Sequence, residues 1–432
     1  MLKVYESKEN ALFIEELEKR NAVDFKTIQK VVEQIVEDVK LRKDKAVLEY
    51  TKKFDGVCLN HLEVTKEEIK QAYSRVDVDL LETLIQAHKN IIDYHRRFIK
   101  KTMTYKPDRE DIILGQIVTP IEKVGIYVPG GKAAYPSTVL MNAVPAKLAG
   151  VEELIMITPP NKNGEIQDSI LAAAHIAGVD RIFKVGGAQG ISAMAYGTES
   201  IPRVYKITGP GNIYVAMAKK IVSSFVGIDM IAGPSEILII ADEHANPEHI
   251  AADLISQAEH DEMAASILVT SSYELAERVN QSLGKRVSQM KRKEIVKKAL
   301  TDYGAIIMTS SLDETIEVAN EIAPEHLEIL TRNPFEDYKK IKNAGAIFLG
   351  EYTPEPVGDY YAGPNHTLPT NATSKFSSAL SVDDFIKKTS LIYYSKEALE
   401  KEKNHIIRFA ENEGLSGHAN AIRVRFPGGQ ND

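Results

Sequence analysis

Histidines stand beside carboxylates or amides in four separated stretches of this chain, which has eleven histidines in all. The stretches are residues 257–261 (Gln-Ala-Glu-His-Asp), 324–327 (Pro-Glu-His-Leu), 358–366 (Gly-Asp-Tyr at its start, Asn-His at its end) and 413–418 (Glu-Gly-Leu-Ser-Gly-His). Imidazole, carboxylate and amide groups can bind metals, and imidazole also exchanges protons near neutral pH. These residue types therefore indicate an enzyme.

A metal site is the first chemistry that these stretches could support. Gln257 and His260 are three residues apart in a helical pattern, so they share one helix face. Taken alone, such a pair is more often part of a solvated face, and a glutamine oxygen suits an open catalytic zinc site better than a structural one. Four side chains could converge on one ion: Gln257, His260, Asp359 and His418.

Proton transfer is the second chemistry. Glu325 and His326 precede a predicted strand, in the kind of loop where catalytic groups tend to lie. One could activate water while the other takes a substrate proton, although two residues alone are more often an ordinary capped turn. The glycine- and proline-rich loop over residues 356–370, which carries Asp359 and His366, is more specific, because loops of this length are usually functional or disordered.

Two glycine turns indicate ligand contacts. Residues 209–212 (Gly-Pro-Gly-Asn) fit a dinucleotide turn in part, but Tyr214 occupies the third glycine position of the fingerprint. Ser235 lies in residues 232–236 (Ala-Gly-Pro-Ser-Glu) with no histidine close in sequence. A substrate hydrogen bond therefore fits Ser235 better than a nucleophilic role.

The elements that must position these groups follow from the apolar pattern. Residues 1 to about 110 read as helices, and apolar runs at 124–128, 154–157, 182–185 and 204–207 are each followed by a turn or loop and a helix. A second set of short buried runs begins near residue 267. Such alternation predicts parallel sheets with helices on both faces and ligands at the carboxyl ends of the strands. The stretch from about 380 onward reads as a charged, helical arm or small domain rather than another sheet.

Composition narrows the partners. A chain of 432 residues is too long for one ordinary core, and its net charge of −8 argues against nucleic acid or an anionic membrane surface as a partner. The first residues lack the apolar segment of a secretion signal, and no run approaches the roughly 20 apolar residues of a membrane span. We expect a cytoplasmic protein, and the single cysteine, Cys58, excludes an internal disulfide.

Taken together, the motifs resemble the histidinol dehydrogenase family. The matching stretches are residues 228–236 (Ile-Asp-Met-Ile-Ala-Gly-Pro-Ser-Glu), 257–261, 323–328 (Ala-Pro-Glu-His-Leu-Glu) and 365–370 (Asn-His-Thr-Leu-Pro-Thr). The resemblance runs from the turn at 53–56 to 413–418, with no departure at a position that would carry function. It implies zinc-dependent oxidation of L-histidinol to L-histidine through L-histidinal, with two NAD⁺ reduced in succession, in histidine biosynthesis.

The resemblance also implies a role for each site residue. The implied zinc ligands are Gln257, His260, Asp359 and His418. The implied acid/base pair is Glu325 and His326, with neutral His326 as the base for the hydroxyl proton and Glu325 as the base that activates water. The implied substrate contacts are Ser235, Gln257, His260, His326, Asp359, His366, Glu413 and His418. The implied NAD contacts are Tyr127, Gln189 and Asn212. Zinc would orient the substrate, and a homodimer would supply Glu413 and His418 to each site from the other subunit.

We predict an α/β fold of two doubly wound, incomplete Rossmann-like parallel-sheet domains with a small helical region of N- and C-terminal arms. The expected boundaries are 1–22 for the N-terminal arm, 23–126 with 235–378 for the domain with the zinc and catalytic residues, 127–234 for the NAD domain, and 379–432 for the dimerisation arm. Two other functions use the same residues. A zinc hydrolase would need Glu325 to activate metal-bound water but would leave the glycine turns without a purpose. A non-catalytic binding protein would give no reason for the Glu325–His326 pair.

Overall fold

The computed structural model describes residues 2–6, 9–20, 25–109, 111–130 and 134–427. The chain divides into two compact units, Met1–Phe98 with Ile121–Phe385 and Ile99–Pro120 with Ile386–Asp432. Among the described residues, no helix is both long enough and apolar enough to cross a bilayer.

The strands, in chain order, are β1 (Lys3–Tyr5), β2 (Met103–Tyr105), β3 (Ile112–Pro120), β4 (Lys123–Tyr127), β5 (Glu153–Thr158), β6 (Arg181–Lys184), β7 (Lys206–Thr208), β8 (Gly227–Ile228), β9 (Glu236–Ala241), β10 (Ala265–Thr270), β11 (Gly304–Met308), β12 (His326–Leu330), β13 (Ala346–Leu349) and β14 (Ile386–Tyr394).

The α-helices are α1 (Asn10–Lys19), α2 (Phe25–Arg42), α3 (Asp44–Asp55), α4 (Lys66–Arg75), α5 (Val78–His95), α6 (Pro136–Ala149), α7 (Asp168–Ala177), α8 (Gly187–Tyr196), α9 (Ile213–Val222), α10 (Pro247–Ala258), α11 (Tyr273–Val287), α12 (Lys293–Asp302), α13 (Leu312–Ile322), α14 (Pro334–Asp337), α15 (Glu355–Tyr360), α16 (Lys396–Asn412) and α17 (Ser416–Arg423).

The first unit contains two parallel sheets, which confirms the predicted fold class. Their strand orders are β6-β5-β4-β7-β8 and β1-β11-β10-β9-β12-β13. Alternate residues of a strand enter different cores: Leu154 and Met156 of β5 belong to one apolar cluster, and Ile155 and Ile157 to another. Apolar side chains on both faces of a strand require helices on both faces of the sheet, which is why these strands are continuous apolar runs.

Each parallel sheet reverses its strand order once. In the sheet of β4–β8 the chain moves outward from β4 to β6 and then returns beside β4 as β7. In the other sheet it moves outward from β9 to β11 and returns beside β9 as β12. Neighbouring connections leave on opposite faces at such a point, so a crevice opens at the carboxyl ends of the two central strands.

The second unit contains an antiparallel sheet that the sequence did not reveal. Strand β14 pairs along its length with β3, and β2 pairs with the other edge of β3. The stretch from about 380 was expected to be a helical arm, and its later part does form α16 and α17. Strand β14 was missed because most of its side chains are exposed, so it lacks the apolar alternation that predicts a half-buried strand.

Helix α3 ends where its sequence predicts. Gly56 follows it with φ +74°, a left-handed conformation in which glycine carries no Cβ penalty, and Lys52 and Lys53 lie in the last turn. Asp55 is the last helical residue and therefore lies at the negative end of the helix dipole.

Candidate active site

The predicted acid/base pair, Glu325 and His326, is fixed by the backbone of one residue at the amino end of β9. The Glu236 N–H donates to Glu325 Oε2 at 2.9 Å, and the Glu236 carbonyl accepts from His326 Nδ1 at 2.9 Å. His326 begins β12, which pairs with β9 in parallel register. Glu325 and His326 are both buried, so these bonds orient two side chains that water does not reach freely.

The Glu236 side chain is itself buried in a polar network. Its carboxylate accepts from the Arg20 guanidinium and, at 3.3 Å, from the Asn371 N–H. Arg20 also donates to Asn371 Oδ1 at 3.0 Å and to the Met263 carbonyl at 3.1 Å. Burial raises the pKa of Glu236 although Arg20 opposes the shift. Sequence reasoning missed Arg20, because a buried ion pair across 216 residues of sequence leaves no local signal.

Carboxylates lie near both ring nitrogens of His326. Its Nε2 lies 3.6 Å from Asp359 Oδ1, and its Nδ1 lies 3.6 Å from Glu325 Oε2. Candidate ligand atoms of His326, Glu355 and Asp359 all lie within 4.8 Å of one another. Sequence reasoning also missed Glu355, although its spacing of four residues before Asp359 on α15 could have revealed it.

The pKa values of Glu325 and His326 are both raised, for different physical reasons. Burial raises the pKa of Glu325 to about 7. Burial alone would lower the pKa of His326, but the negative charges of Glu325, Asp359 and Glu355 raise it to about 10. A raised pKa favours the protonated imidazole, so the predicted role of neutral His326 as a base requires a further positive charge nearby. A divalent cation beside Asp359 would offset these negative charges.

Asp359 is placed by helix α15 and by a histidine. The Glu355 N–H at the start of α15 donates to Glu328 Oε1 at 2.8 Å, and Glu328 shares its face of β12 with His326. His366 Nδ1 donates to the Asp359 carbonyl at 2.9 Å. Burial would raise the pKa of Asp359, but the neighbouring His326 imidazole and the potential of His366 keep it well below its usual range.

Gln257 and His260 fit a metal ion at the end of α10. Gln257 is fully buried, and neither of its amide atoms has a hydrogen-bond partner within the described residues. The Nε2 atom of His326 is also buried without such a partner. Burial lowers the pKa of His260, which favours the neutral imidazole that a metal requires. Unpartnered buried polar atoms are costly, so this set of nitrogen and oxygen donors fits a cation such as zinc.

The remaining predicted substrate residues lie in both units. Ser235 directly precedes β9 and is half-buried, and its carbonyl accepts from the Ala265 N–H at 3.0 Å. Glu413 follows α16 and His418 lies in the first turn of α17, both in the second compact unit and both exposed. The structure thus brings Glu325, His326 and Asp359 into contact within the first unit, with His260 in their electrostatic field.

A cavity of about 720 Å³ lies at the carboxyl ends of the strands in the sheet of β4–β8. Its lining includes all three side chains expected to contact NAD: Tyr127, Gln189 and Asn212. The Tyr127 hydroxyl accepts from the Gly187 N–H at 3.3 Å, and burial raises the pKa of Tyr127 to about 12. Asn212 Oδ1 caps α9 by accepting from the N–H groups of Tyr214 and Val215, both at 3.1 Å. The Asn212 Oδ1 is thus engaged by the helix, whereas its Nδ2 can still donate to a ligand.

A buried ion pair fixes the glycine turn that precedes Asn212. Lys219 and Asp229 form this pair, with Lys219 Nζ donating to the Gly209 carbonyl at 3.0 Å and Asp229 Oδ2 accepting from the Gly209 N–H at 2.8 Å. Gly209 has φ +110°, and a Cβ there would lie 2.1 Å from the Tyr127 carbonyl oxygen. Only glycine therefore allows this turn to pack against β4.

Two parallel sheets flanked by helices, with a cavity at one and a buried imidazole–carboxylate cluster at the other, are features of an α/β enzyme. Residues 18–426 match the family model described as histidinol dehydrogenase. The chain is 56% identical over 414 residues to the histidinol dehydrogenase of Clostridium acetobutylicum, covering 96% of each chain, and 54% identical to that of Caldanaerobacter subterraneus subsp. tengcongensis, covering 95% of each. The crystal structure of histidinol dehydrogenase from Elizabethkingia anophelis superimposes with a TM-score of 0.93 at 38% identity, covering 98% of each chain. The chain belongs to the histidinol dehydrogenase family and is an oxidoreductase.

Proposed function

We propose that this protein oxidises L-histidinol to L-histidine through L-histidinal, using zinc and two successive molecules of NAD⁺. The observation that carries the proposal is the buried Glu325–His326 pair, which is held by the Glu236 backbone with His326 Nε2 3.6 Å from Asp359 Oδ1. The sheet of β4–β8 adds a cavity large enough for part of a dinucleotide, lined by Tyr127, Gln189 and Asn212.

The first step converts an alcohol into an aldehyde. His326 accepts the hydroxyl proton as a hydride leaves the same carbon for NAD⁺, which gives histidinal, NADH and one proton. The hydrogen bond from Nδ1 to the Glu236 carbonyl fixes the ring, so Nε2 faces the site and receives the proton. Burial of both residues excludes bulk water, which protects the aldehyde.

The second step requires water. Glu325 takes a proton from a water molecule as the oxygen of that water adds to the aldehyde carbon. The hydrate then loses a second hydride to NAD⁺, which gives the carboxylate, NADH and two protons. A pKa of about 7 suits Glu325 to accept and release protons near neutral pH. Its bond from the Glu236 N–H leaves one carboxylate oxygen free to face the site.

The metal would be held by Gln257, His260, Asp359 and His418. Bound zinc would supply a Lewis-acidic anchor for the substrate's imidazole and amino nitrogens and a positive charge that returns the pKa of His326 toward neutrality. Ser235, His366 and Glu413 would complete the contacts to the substrate by hydrogen bonds and charge.

We further propose that the protein acts as a homodimer in which Glu413 and His418 reach the site of the other subunit. Both residues are exposed on the second compact unit, where their side chains are accessible to a partner. Coexpression of two inactive variants, His418→Asn and Glu325→Gln, tests this. Shared sites predict about a quarter of normal activity, because half the dimers are mixed and each has one intact site. No recovered activity in isolated mixed dimers would overturn the shared site.

The activity itself is tested by NADH formation from L-histidinol before and after chelation and zinc addition. We expect two NADH per histidinol, lost with the metal and restored by zinc. Hydrolysis of an ester or amide substrate without NADH formation would instead favour a zinc hydrolase.

A further inference from the structure

Asp55 is a carboxylate in the cofactor cavity that neither the metal site nor the acid/base pair uses. It lines the cavity together with Tyr127, Gln189 and Asn212. Its Oδ2 atom is buried and has no hydrogen-bond partner within the described residues. An unpartnered buried oxygen on an ionisable group is unfavourable, so its presence calls for a ligand that supplies the missing donor.

The position of Asp55 on its helix adds to this cost. It is the last residue of α3, where the unpaired carbonyls and the helix dipole disfavour an anion. Burial also raises the pKa of Asp55 to about 6. A residue that destabilises its own helix end, and faces a cavity, has the character of a binding group rather than a structural one.

The chemistry of the group selects its ligand. An ionised carboxylate only accepts hydrogen bonds, so it pairs with a ligand that donates. A ribose diol offers two neighbouring O–H donors, and an acidic side chain binds the adenosine ribose in many dinucleotide sites. In those sites the acid follows a strand of the sheet, whereas here it comes from an N-terminal helix. A ribose carrying a 2′-phosphate would lose one donor and bring a negative charge beside the carboxylate.

We propose that Asp55 binds the adenosine ribose hydroxyls of the dinucleotide and thereby selects NAD⁺ against NADP⁺. The inference rests on the proposed function, because it requires a dinucleotide in this cavity. The one cation that lines the cavity within the described residues, Lys162, is exposed on the loop after β5, and Glu165 close by on the same loop carries the opposite charge. Lys162 therefore offers a 2′-phosphate little net attraction.

Fluorescence titration of the full-length protein with NADH and with NADPH tests the proposal. Asp55→Asn keeps the shape of the side chain and removes its charge. It should weaken NADH binding about tenfold or more while leaving NADPH binding unchanged or tighter, because a hydrogen bond to a charged group is lost but a repulsion is relieved. Asp55→Glu retains the charge and should still reject NADPH, even if its longer side chain weakens NADH binding.

Glu152→Gln is the control, since it removes an exposed acid that does not line the cavity and should leave the ratio of NADH to NADPH affinity unchanged. If wild-type protein binds NADH but Asp55→Asn keeps that ratio within about twofold, selection by Asp55 is wrong and the proposed function stands. The inference also fails if Asp55→Glu accepts NADPH as readily as Asp55→Asn. If wild-type protein binds neither nucleotide, both the proposed function and the inference about Asp55 fail.

Discussion

The two parallel sheets carry their polar groups at opposite ends. Tyr127 ends β4 and Asn212 follows β7, so the proposed cofactor cavity lies at the carboxyl ends of its sheet. Glu236 begins β9 and His326 begins β12, so the acid/base pair lies at the amino ends of the other sheet. Similar folding units therefore provide two chemically different environments.

The difference follows from the direction of the connecting helices. Helices start near the carboxyl ends of parallel strands, where their free N–H groups favour anions such as phosphates. They return toward the amino ends, where their free carbonyls favour cations. Helix α10 ends at Ala258, between Gln257 and His260, so the proposed metal ligands lie where a helix end favours a positive ion.

The two ends also differ in what holds them. At the proposed cofactor cavity, a Lys219–Asp229 ion pair makes hydrogen bonds to the backbone of Gly209 in the glycine turn. At the proposed acid/base pair, an Arg20–Glu236 ion pair supports a residue whose backbone binds both Glu325 and His326. Four predictions test this contrast.

The largest effect is expected at the acid/base pair. Glu325→Gln should lower kcat for histidinal oxidation by about 10²–10⁴-fold, and His326→Asn should do the same for the alcohol step. NADH binding should change little, because neither residue lines the cofactor cavity. Separate assays with histidinol and histidinal measure the two steps. Loss of the alcohol step with normal histidinal oxidation in Glu325→Gln would contradict the assignment of water activation to Glu325.

The next effect concerns Arg20. Arg20→Met leaves Glu236 buried without its counter-charge, which should lower the free energy of unfolding by about 3–5 kcal/mol. The double variant Arg20→Met with Glu236→Gln should recover much of that loss, since no unpaired charge remains. Denaturant unfolding measures both proteins. Equal instability of the single and double variants would show that the charge of Glu236 is not the cause.

A smaller, local effect is expected at the cofactor turn. Gly209→Ala adds a Cβ that would overlap the Tyr127 carbonyl, at a φ of +110° that alanine rarely adopts. We expect a loss of about 1–3 kcal/mol in stability and weaker NADH binding, with histidinol binding retained. Gly284→Ala is the control, because its Cβ would meet nothing within 4 Å. Normal NADH affinity in Gly209→Ala would show that the turn does not shape the cavity.

The smallest effect is a gain in stability at Asp55 that depends on pH. Folding raises the pKa of Asp55 from 3.8 to about 6, so the ionised form destabilises the folded state. That cost is absent below about pH 4 and complete above about pH 6. Asp55→Asn should therefore raise Tm at pH 8 relative to wild type and leave it nearly equal at pH 3.5. An equal difference in Tm at the two pH values would mean that the charge is not responsible.

Much of the fold could be predicted from local patterns. Continuous apolar runs such as that of β5 require burial on both faces, and glycine after α3 fixes the end of that helix. The neighbouring Glu325 and His326 were identified as a pair. The expectation that Gln257 and His260 share one helix face was wrong, because α10 ends at Ala258 and His260 lies in the turn that follows. Strand β14 could not be predicted in this way, because its exposed residues acquire their conformation by pairing with β3, about 270 residues earlier in the chain.

The sequence by itself determined the α/β class, the family and the residue types available for chemistry, since periodicity and motif spacing are local properties. The tertiary structure alone decided that Glu236 binds both members of the acid/base pair, that Arg20 supports it, and that Asp55 faces the cofactor cavity. It also raised the pKa of His326, because a pKa depends on burial and on charges brought close by folding. Such interactions join residues far apart in sequence, so only the folded chain defines them.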